Sequence, residues 1–502
     1  MKYMLGVDFG GGASKATLLS ESGEKVCAAS GEYAMRYPKN GWAEQDPDEI
    51  YGVFVCNVRA ILEKSGVNPE DIAALSLDGG THIAVLLDEK DKVIRPAIYW
   101  SDTRSAREAA ALGDYREKIT GLAFNPPSSI WTLPQLIWLR EAEPENFARI
   151  NRILFLKDYI RFRLTGEFVT DAIEAMGSML LDANTGKWDP WLCALAGVEA
   201  AMLPPIAQPS DIVGTPTAKA CAETGLSKKT MVCAGATDTV MEVYAAGAVK
   251  KGQATLKLAT AGRICAITDK AIPSPLLVCY RHIIPGLWYP GTATKTCAAA
   301  LRWYRDALCA GEVREGGEKS VDVYKLIDEA AAKVPAGSDG LLFHPYLQGE
   351  ITPYPDAALR ASFTNVSTLH TKGHFNRAVM EGVAYSMRDC MRVIGELGIE
   401  ITDNIRMIGG GSKSPLWRQI VADVLDIPLC RSLTDDSSMG SAMLAGVAAG
   451  VFPGFEESTE ICSRTGDTVY PNKQNRAVYD RGFDAYRRIH DALSPIYGDL
   501  NA

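Results

Sequence analysis

Residues 6–15 read G-V-D-F-G-G-G-A-S-K, an apolar stretch ending in Asp8 that runs into three glycines, then Ser14 and Lys15. Whether the chain beyond those glycines enters a helix or turns back as a strand decides the fold. The segment lacks the G-x-G-x-x-G spacing, and Lys15 is not preceded by the glycine that a P-loop needs. Beyond Lys15 the chain reads as strand again. Tyr3–Val7 is apolar, Ala16–Leu19 is apolar, Glu21–Glu24 is a turn, and Lys25–Ala28 is a third strand. Three short strands with tight turns predict an antiparallel meander and count against a strand-to-helix dinucleotide start.

The same device recurs. Met231–Ala234 predicts a strand, Gly235–Asp238 a turn and Thr239–Ala248 a helix of small residues; then Ala254–Leu258, Ala259–Gly262 and Ile264–Ile267 repeat strand, turn, strand. We read this as an internal repeat, with an N-terminal domain over 1–245 and a C-terminal domain over 246–502. Between the repeats, Asp46-Pro47 predicts a helix start, and Ile72–Leu77 predicts a strand turning at Asp78–His82 into Ile83–Leu87. Later, Phe375, Val379, Val383, Met387 and Met391 mark the buried stripe of a helix, with Arg377, Glu381 and Arg388 on its other faces. Ile405–Ile408, Gly409–Gly411 and Ser414-Pro415 predict strand, turn and capped helix. Gly440–Gly446 predicts a helix of small residues that lets a backbone or a flat ligand come close.

A chain of 502 residues is too long for one core, so two or more domains are expected. A net charge of -9 argues against a nucleic-acid partner. The 12 cysteines form no C-x-x-C pair, which suits reduced thiols in a cytoplasmic protein. No stretch of about 20 apolar residues predicts a membrane span. A homodimer is left open.

Three glycine-rich turns, at 10–12, 259–262 and 409–411, can each aim backbone N–H groups at an anion. Asp8 is either a turn-stabilising residue or a carboxylate that holds a cation beside phosphates. Asp238 is either an N-cap or the general base of a phosphoryl transfer. Lys15 is either solvated or a phosphate neutraliser. His82, one of six histidines, offers a neutral donor to a sugar hydroxyl, and Trp42 or Trp100 an apolar wall for its carbons.

These segments resemble the FGGY carbohydrate kinases, most closely their xylulokinase branch, over nearly the whole chain. The stretches that carry the likeness are G-V-D-F-G-G-G-A-S-K, W-A-E-Q-D-P at 42–47, V-L-L-D-E-K-D-K-V-I-R-P-A-I-Y-W-S-D-T-R at 85–104 and G-A-T-D at 235–238. P-Y-L-Q-G-E-I-T-P at 345–353, R-A-V-M-E-G-V-A-Y at 377–385 and I-G-G-G-S-K-S-P-L-W-R-Q at 408–419 extend it. The resemblance implies an α/β protein of two actin-like (ribonuclease H-like) domains around a cleft, with ATP and Mg²⁺ as cofactors and a small sugar as substrate. By that resemblance Asp238 is the catalytic base, and Asp8 and Asp238 attend the metal. Gly10, Gly11, Gly12 and Lys15 line the first phosphate turn, Thr260 and Gly262 the second, and Gly410 and Gly411 cradle adenosine. Thr81, His82, Asp238, Thr239 and Trp42 face the sugar. The chain departs from the pattern at G-G-T-H-I (79–83), where G-Q-M-H-G is usual. It departs again at Thr239, usually Asn, and at L-A-T-A-G (258–262), usually L-G-T-S-G.

The implied reaction moves the γ-phosphoryl of ATP to a terminal hydroxyl of a ketopentose. Gluconate, ribulose, a deoxy sugar or a polyol are alternative acceptors in the same family. Two other classes stand further off: an oxidoreductase using residues 408–414 with Asp435 or Asp436 on a ribose, and a non-catalytic actin-like sugar sensor.

Overall fold

The computed structural model describes residues 1–500. Its framework in chain order is β1 (Tyr3–Phe9), β2 (Ala13–Ser20), β3 (Lys25–Glu32), α1 (Pro47–Ser65), β4 (Ile72–Gly79), β5 (Ile212–Gly214), β6 (Met231–Cys233) and α2 (Asp238–Ala245). The second half supplies β7 (Ala254–Leu258), β8 (Gly262–Ala266), α3 (Lys372–Glu396), β9 (Ile405–Ile408) and α4 (Pro415–Leu425). It continues with β10 (Leu429–Ser432), α5 (Ser437–Ala448) and β11 (Thr465–Val469). The 245/246 division suggested by the sequence falls where α2 ends, in the link to β7.

The first sheet runs β5-β6-β4-β1-β2-β3, the second β8-β7-β9-β10-β11. In each, a tight antiparallel hairpin (β1–β2, β7–β8) sits beside parallel neighbours (β4 and β6; β9 and β10). The meander and its repeat are therefore present. In the second half the third meander strand is reduced to single bridges, Cys265 to Gly291 and Thr268 to Trp288. β1 reads as a continuous apolar run because it is central: Met4, Leu5, Val7 and Phe9 are fully buried.

α1 starts as its sequence predicts, with the Asp46 carboxylate accepting from the amides of Asp48 (3.1 Å) and Glu49 (3.4 Å) and Pro47 at the first position. The stripe on α3 is buried at Val379, Val383 and Met387, but so are two charged residues expected on other faces. Arg377 pairs with Glu381 at 2.7 Å and both bond the Tyr479 hydroxyl, so this helix is enclosed nearly all round. Residues 84–87 do form a strand, yet it pairs with Arg152–Phe155 outside the main sheet.

The small-residue helix α5 belongs to the second half but packs on the first. A Cβ at Gly6 of β1 would lie 2.0 Å from the Ser438 carbonyl oxygen and 2.3 Å from the Ala442 nitrogen. A Cβ at Gly440 would lie 2.3 Å from the Met241 carbonyl oxygen on α2. What approaches this helix is backbone from β1 and α2. Thr17 and Ser438 hydroxyls meet at 2.8 Å along the same seam.

Candidate active site

Three strand ends bring the acids together. β1 and β4 run parallel with Asp8 opposite Asp78, and Ala236–Thr237 adds to the other side of β4, opposite Asp78 and Gly79. Asp238 comes next, as the first residue of α2. Gly235 makes this possible: its φ is +79°, and a Cβ there would lie 2.1 Å from the Leu77 carbonyl oxygen. The sequence offered an N-cap as the plain alternative for Asp238, but Thr237 holds that position and makes no side-chain cap bond. Asp238 Oδ1 instead accepts from the amide and hydroxyl of Thr239 (2.5 and 3.1 Å). The expected turn at Asp78 is strand, held by pairing on both sides, so Asp78 becomes a member of the acid group.

Burial pushes the Asp8 carboxyl up to about 7, helped by the charges of Asp238, Glu242 and Asp436 and opposed by a hydrogen bond with Asp78. Burial also raises Asp78, with Asp8 adding to it. Asp78 is further tied across the seam, accepting from the Ser441 hydroxyl of α5 at 2.5 Å. A raised carboxyl binds its proton more tightly in the folded state, so stability falls as pH rises from the ordinary aspartate value toward 7. Asp8→Asn is therefore expected to melt progressively higher relative to the ligand-free wild type between pH 5 and pH 8. Thermal melts across that range check it, and a pH-independent difference would contradict it.

The first glycine turn is pinned from outside. The Tyr33 hydroxyl donates to the carbonyls of Gly10 and Ala13 (2.5 and 3.1 Å), and Gln45 Nε2 donates to those of Gly10 and Gly11 (3.3 and 2.8 Å). The amide of Gly10 closes the turn onto Ala13 at 3.0 Å, whereas those of Gly11 and Gly12 bond no acceptor among the described residues. At the second turn Thr260 and Ala261 are exposed, with amides likewise unbonded, while Gly262 donates to Thr294 Oγ1 at 2.9 Å. A Cβ at Gly262 would meet Met387 Cε at 2.8 Å, so this glycine serves packing. At the third turn the Gly409 amide donates to Asp435 at 2.8 Å. Gly410 is exposed with open space where a Cβ would stand, and Gly411 packs on Leu258 and Trp417. Lys15 reaches across the seam to Asp436, which caps α5, with Lys25 3.9 Å from the same carboxylate.

After β4, Thr81 and His82 lie beneath Gly177, whose missing Cβ would stand 2.5 Å from Thr81 Cγ2. His82 is buried at a φ of +54°, its amide donating to Glu174 and its carbonyl accepting from the Thr132 hydroxyl at 2.8 Å. Burial lowers its imidazole to about 3, so it is neutral, and its Nδ1 has no protein partner. Trp42 is held elsewhere, 3.8 Å from the Arg104 guanidinium and edge-on to Trp138 at 5.3 Å. Trp100 is the tryptophan that lies against Gly80, beside Tyr99, whose hydroxyl would stand 2.9 Å from a Cβ on Gly11.

Sequence reasoning missed Asp78, and it missed Arg263, whose guanidinium donates to Thr239 Oγ1 at 2.9 Å beside Asp238. For Asp78 a signal existed, since L-D-G-G repeats the strand–Asp–glycine grammar of V-D-F-G-G. For Arg263, a cation opening an otherwise apolar strand was the only hint.

Residues 3–244 match the model of the FGGY family of carbohydrate kinases, N-terminal domain, and residues 263–449 that of its C-terminal domain. The chain belongs to the FGGY family of carbohydrate kinases. It is 31% identical to a xylulose kinase of Bacillus subtilis over 98% of this chain and 97% of that one. Two solved structures from Lactobacillus acidophilus superpose equally well. A ligand-bound xylulose kinase (27% identity, covering 100% of both chains) gives a TM-score of 0.91. A gluconate kinase (27%, 99% of both) gives 0.91 as well. The chain is thus an ATP-dependent sugar kinase of two actin-like domains. No helix among the described residues is long and apolar enough to cross a membrane.

Proposed function

We propose that this kinase phosphorylates a terminal hydroxyl of an open-chain sugar at the ends of β1, β4 and the 236–237 strand, with Asp238 as general base. The adjacency of Asp8, Asp78 and Asp238 between two hairpin turns with unbonded amides carries this reading. Asp238 takes the proton as the acceptor oxygen bonds the γ-phosphorus and the bridging oxygen leaves with ADP. The amides of Gly11, Gly12, Thr260 and Ala261 offer donors to phosphoryl oxygens. Neutral His82 hydrogen-bonds a sugar hydroxyl. Gly410 marks the open face on which the adenosine would lie.

Mg²⁺ fits the acid group: Asp8 Oδ1 and Asp78 Oδ1 are buried without a protein partner, and repulsion among these carboxylates favours a cation. Among the described residues no three side chains form a metal cage. The ion would be held by Asp8 and Asp238 together with phosphate and water, where it would offset phosphate charge.

A coupled ADP assay over xylulose, ribulose, gluconate and xylitol tests the proposal. Expected is ADP release that requires both Mg²⁺ and one of these acceptors. Sugar-independent release would make the protein an ATPase, and sugar binding without turnover a sensor. The xylulose of the relatives is the first acceptor to assay: a xylulose kinase reaches 31% identity where a gluconokinase reaches 28%, although one solved structure of each superposes with the same TM-score of 0.91.

A further inference from the structure

Four basic side chains gather around the acid group. Lys15 and Lys25 face Asp436, and Lys257 is bound to Glu242 at 2.6 Å. The fourth, Arg263, has no carboxylate within ion-pair distance among the described residues. Its guanidinium carries five N–H donors, and its one hydrogen bond runs from Nη1 to Thr239 Oγ1 at 2.9 Å. The remaining nitrogens are not sealed in the core. Arg263 and Lys257 are cross-strand partners on β8 and β7, and both side chains reach α2, at Thr239 and Glu242.

Thr239 is also the hydroxyl that bonds Asp238, so Arg263 stands two hydrogen bonds from the proposed base. A line of rings joins it to the sugar-side turn. Tyr280 and Tyr289, both within reach of the Arg263 charge, stack at 5.8 Å; Trp131 meets Tyr280 at 6.3 Å and His82 at 4.9 Å. These aromatics are almost fully buried, and a cation against such a wall gains strongly from an anionic ligand. A planar guanidinium fork matches a carboxylate in particular.

We infer that Arg263 sets the acceptor class: it binds the carboxylate of an aldonate whose far terminal hydroxyl is presented to Asp238. This rests on the proposed kinase function and replaces the neutral ketose by an acidic sugar. The transfer itself is unchanged: the hydroxyl oxygen bonds phosphorus, its proton passes to Asp238 and ADP departs, while the carboxylate stays intact. The same guanidinium could instead be met by the γ-phosphoryl oxygens of ATP, and the experiment separates these anions.

Wild type, Arg263→Gln and Arg263→Lys are assayed with xylulose, xylonate and gluconate, with folding checked by thermal melts. The expected result is an aldonate preferred over xylulose by wild type. Arg263→Gln should lose about 100-fold in aldonate kcat/KM, lose at least 10-fold less for xylulose, where only the Thr239 contact to the base is disturbed, and keep its KM for ATP. Arg263→Lys should fall between. Equal losses for every acceptor with a raised KM for ATP would assign the guanidinium to the phosphoryl group and overturn the inference, as would a wild-type preference for xylulose. Calorimetric titration of xylonate and gluconate, with a non-hydrolysable ATP analogue present, keeps the two readings apart. Arg263-dependent aldonate binding without aldonate turnover would keep the carboxylate contact but overturn the presentation of the far hydroxyl to Asp238; equal binding by wild type and Arg263→Gln sinks this inference whatever the turnover.

Discussion

Asp238→Asn is expected to lower kcat by about 10³-fold, inside the 10²–10⁴ range of a lost general base, while leaving an ATP-dependent thermal shift intact. The geometry makes the substitution specific. Both hydrogen bonds to the carboxylate, from the Thr239 amide and hydroxyl, fall on Oδ1. Oδ2 is left for the acceptor hydroxyl. An amide oxygen can keep the Thr239 contacts, but it cannot take up a proton at neutral pH. The side chain also opens α2, held by a glycine turn against β4, so its position does not depend on the charge. Turnover within about 10-fold of wild type would remove Asp238 from the base role. Loss of the nucleotide shift would mean that the substitution disturbs the site instead.

The second large effect is on stability. Gly6→Ala is expected to cost about 3 kcal/mol or more, at the upper end for overpacking, and to lower the melting temperature by several degrees. The added methyl would stand 2.0 Å from the Ser438 carbonyl oxygen and 2.3 Å from the Ala442 nitrogen, and neither can swing aside as a side chain can. Relief requires β1 to lift off α5, which strains Ser441–Asp78 and Thr17–Ser438 and moves Asp8 with its strand. Activity should therefore fall along with stability. Gly12→Ala is the control for the melt alone, because nothing lies within 4 Å of its Cβ position. A Gly6→Ala melt within about 1 °C of wild type would show that the seam is softer than its geometry.

Much of this architecture was legible in local patterns. The hairpins at 3–20 and 254–266 follow from apolar runs broken by glycine, and α1 and α4 from their caps. Local pattern also raised Asp8 and Asp238 as candidates, one at a strand end before glycines and the other between a glycine turn and a helix, and the family resemblance supplied the roles proposed for them. What it could not reach depends on strands remote in sequence becoming neighbours. Asp78 looks like a turn residue until β4 is placed between β1 and 236–237. Trp42 and Trp100 are equivalent as letters, and only the packing of Arg104 and Trp138 separates them. The residues of the second and third turns divide in the same way: Gly262 and Gly411 fill close contacts, and Thr260 and Gly410 are exposed. Arg263 is the extreme case, since it bonds Thr239 but has no ion-pair partner among the described residues, which no local pattern foretells.

The seam at α5 has a mechanical consequence. Where Gly6 and Gly440 bring main chain against main chain, no rotamers lie between the two halves to absorb a sideways displacement. Such a joint can rock but not slide. Any swing of the two halves should leave Asp8 and Asp78 almost stationary, as points at an axle, while the glycine tips at 10–12 and 259–262 travel like the ends of a pair of jaws.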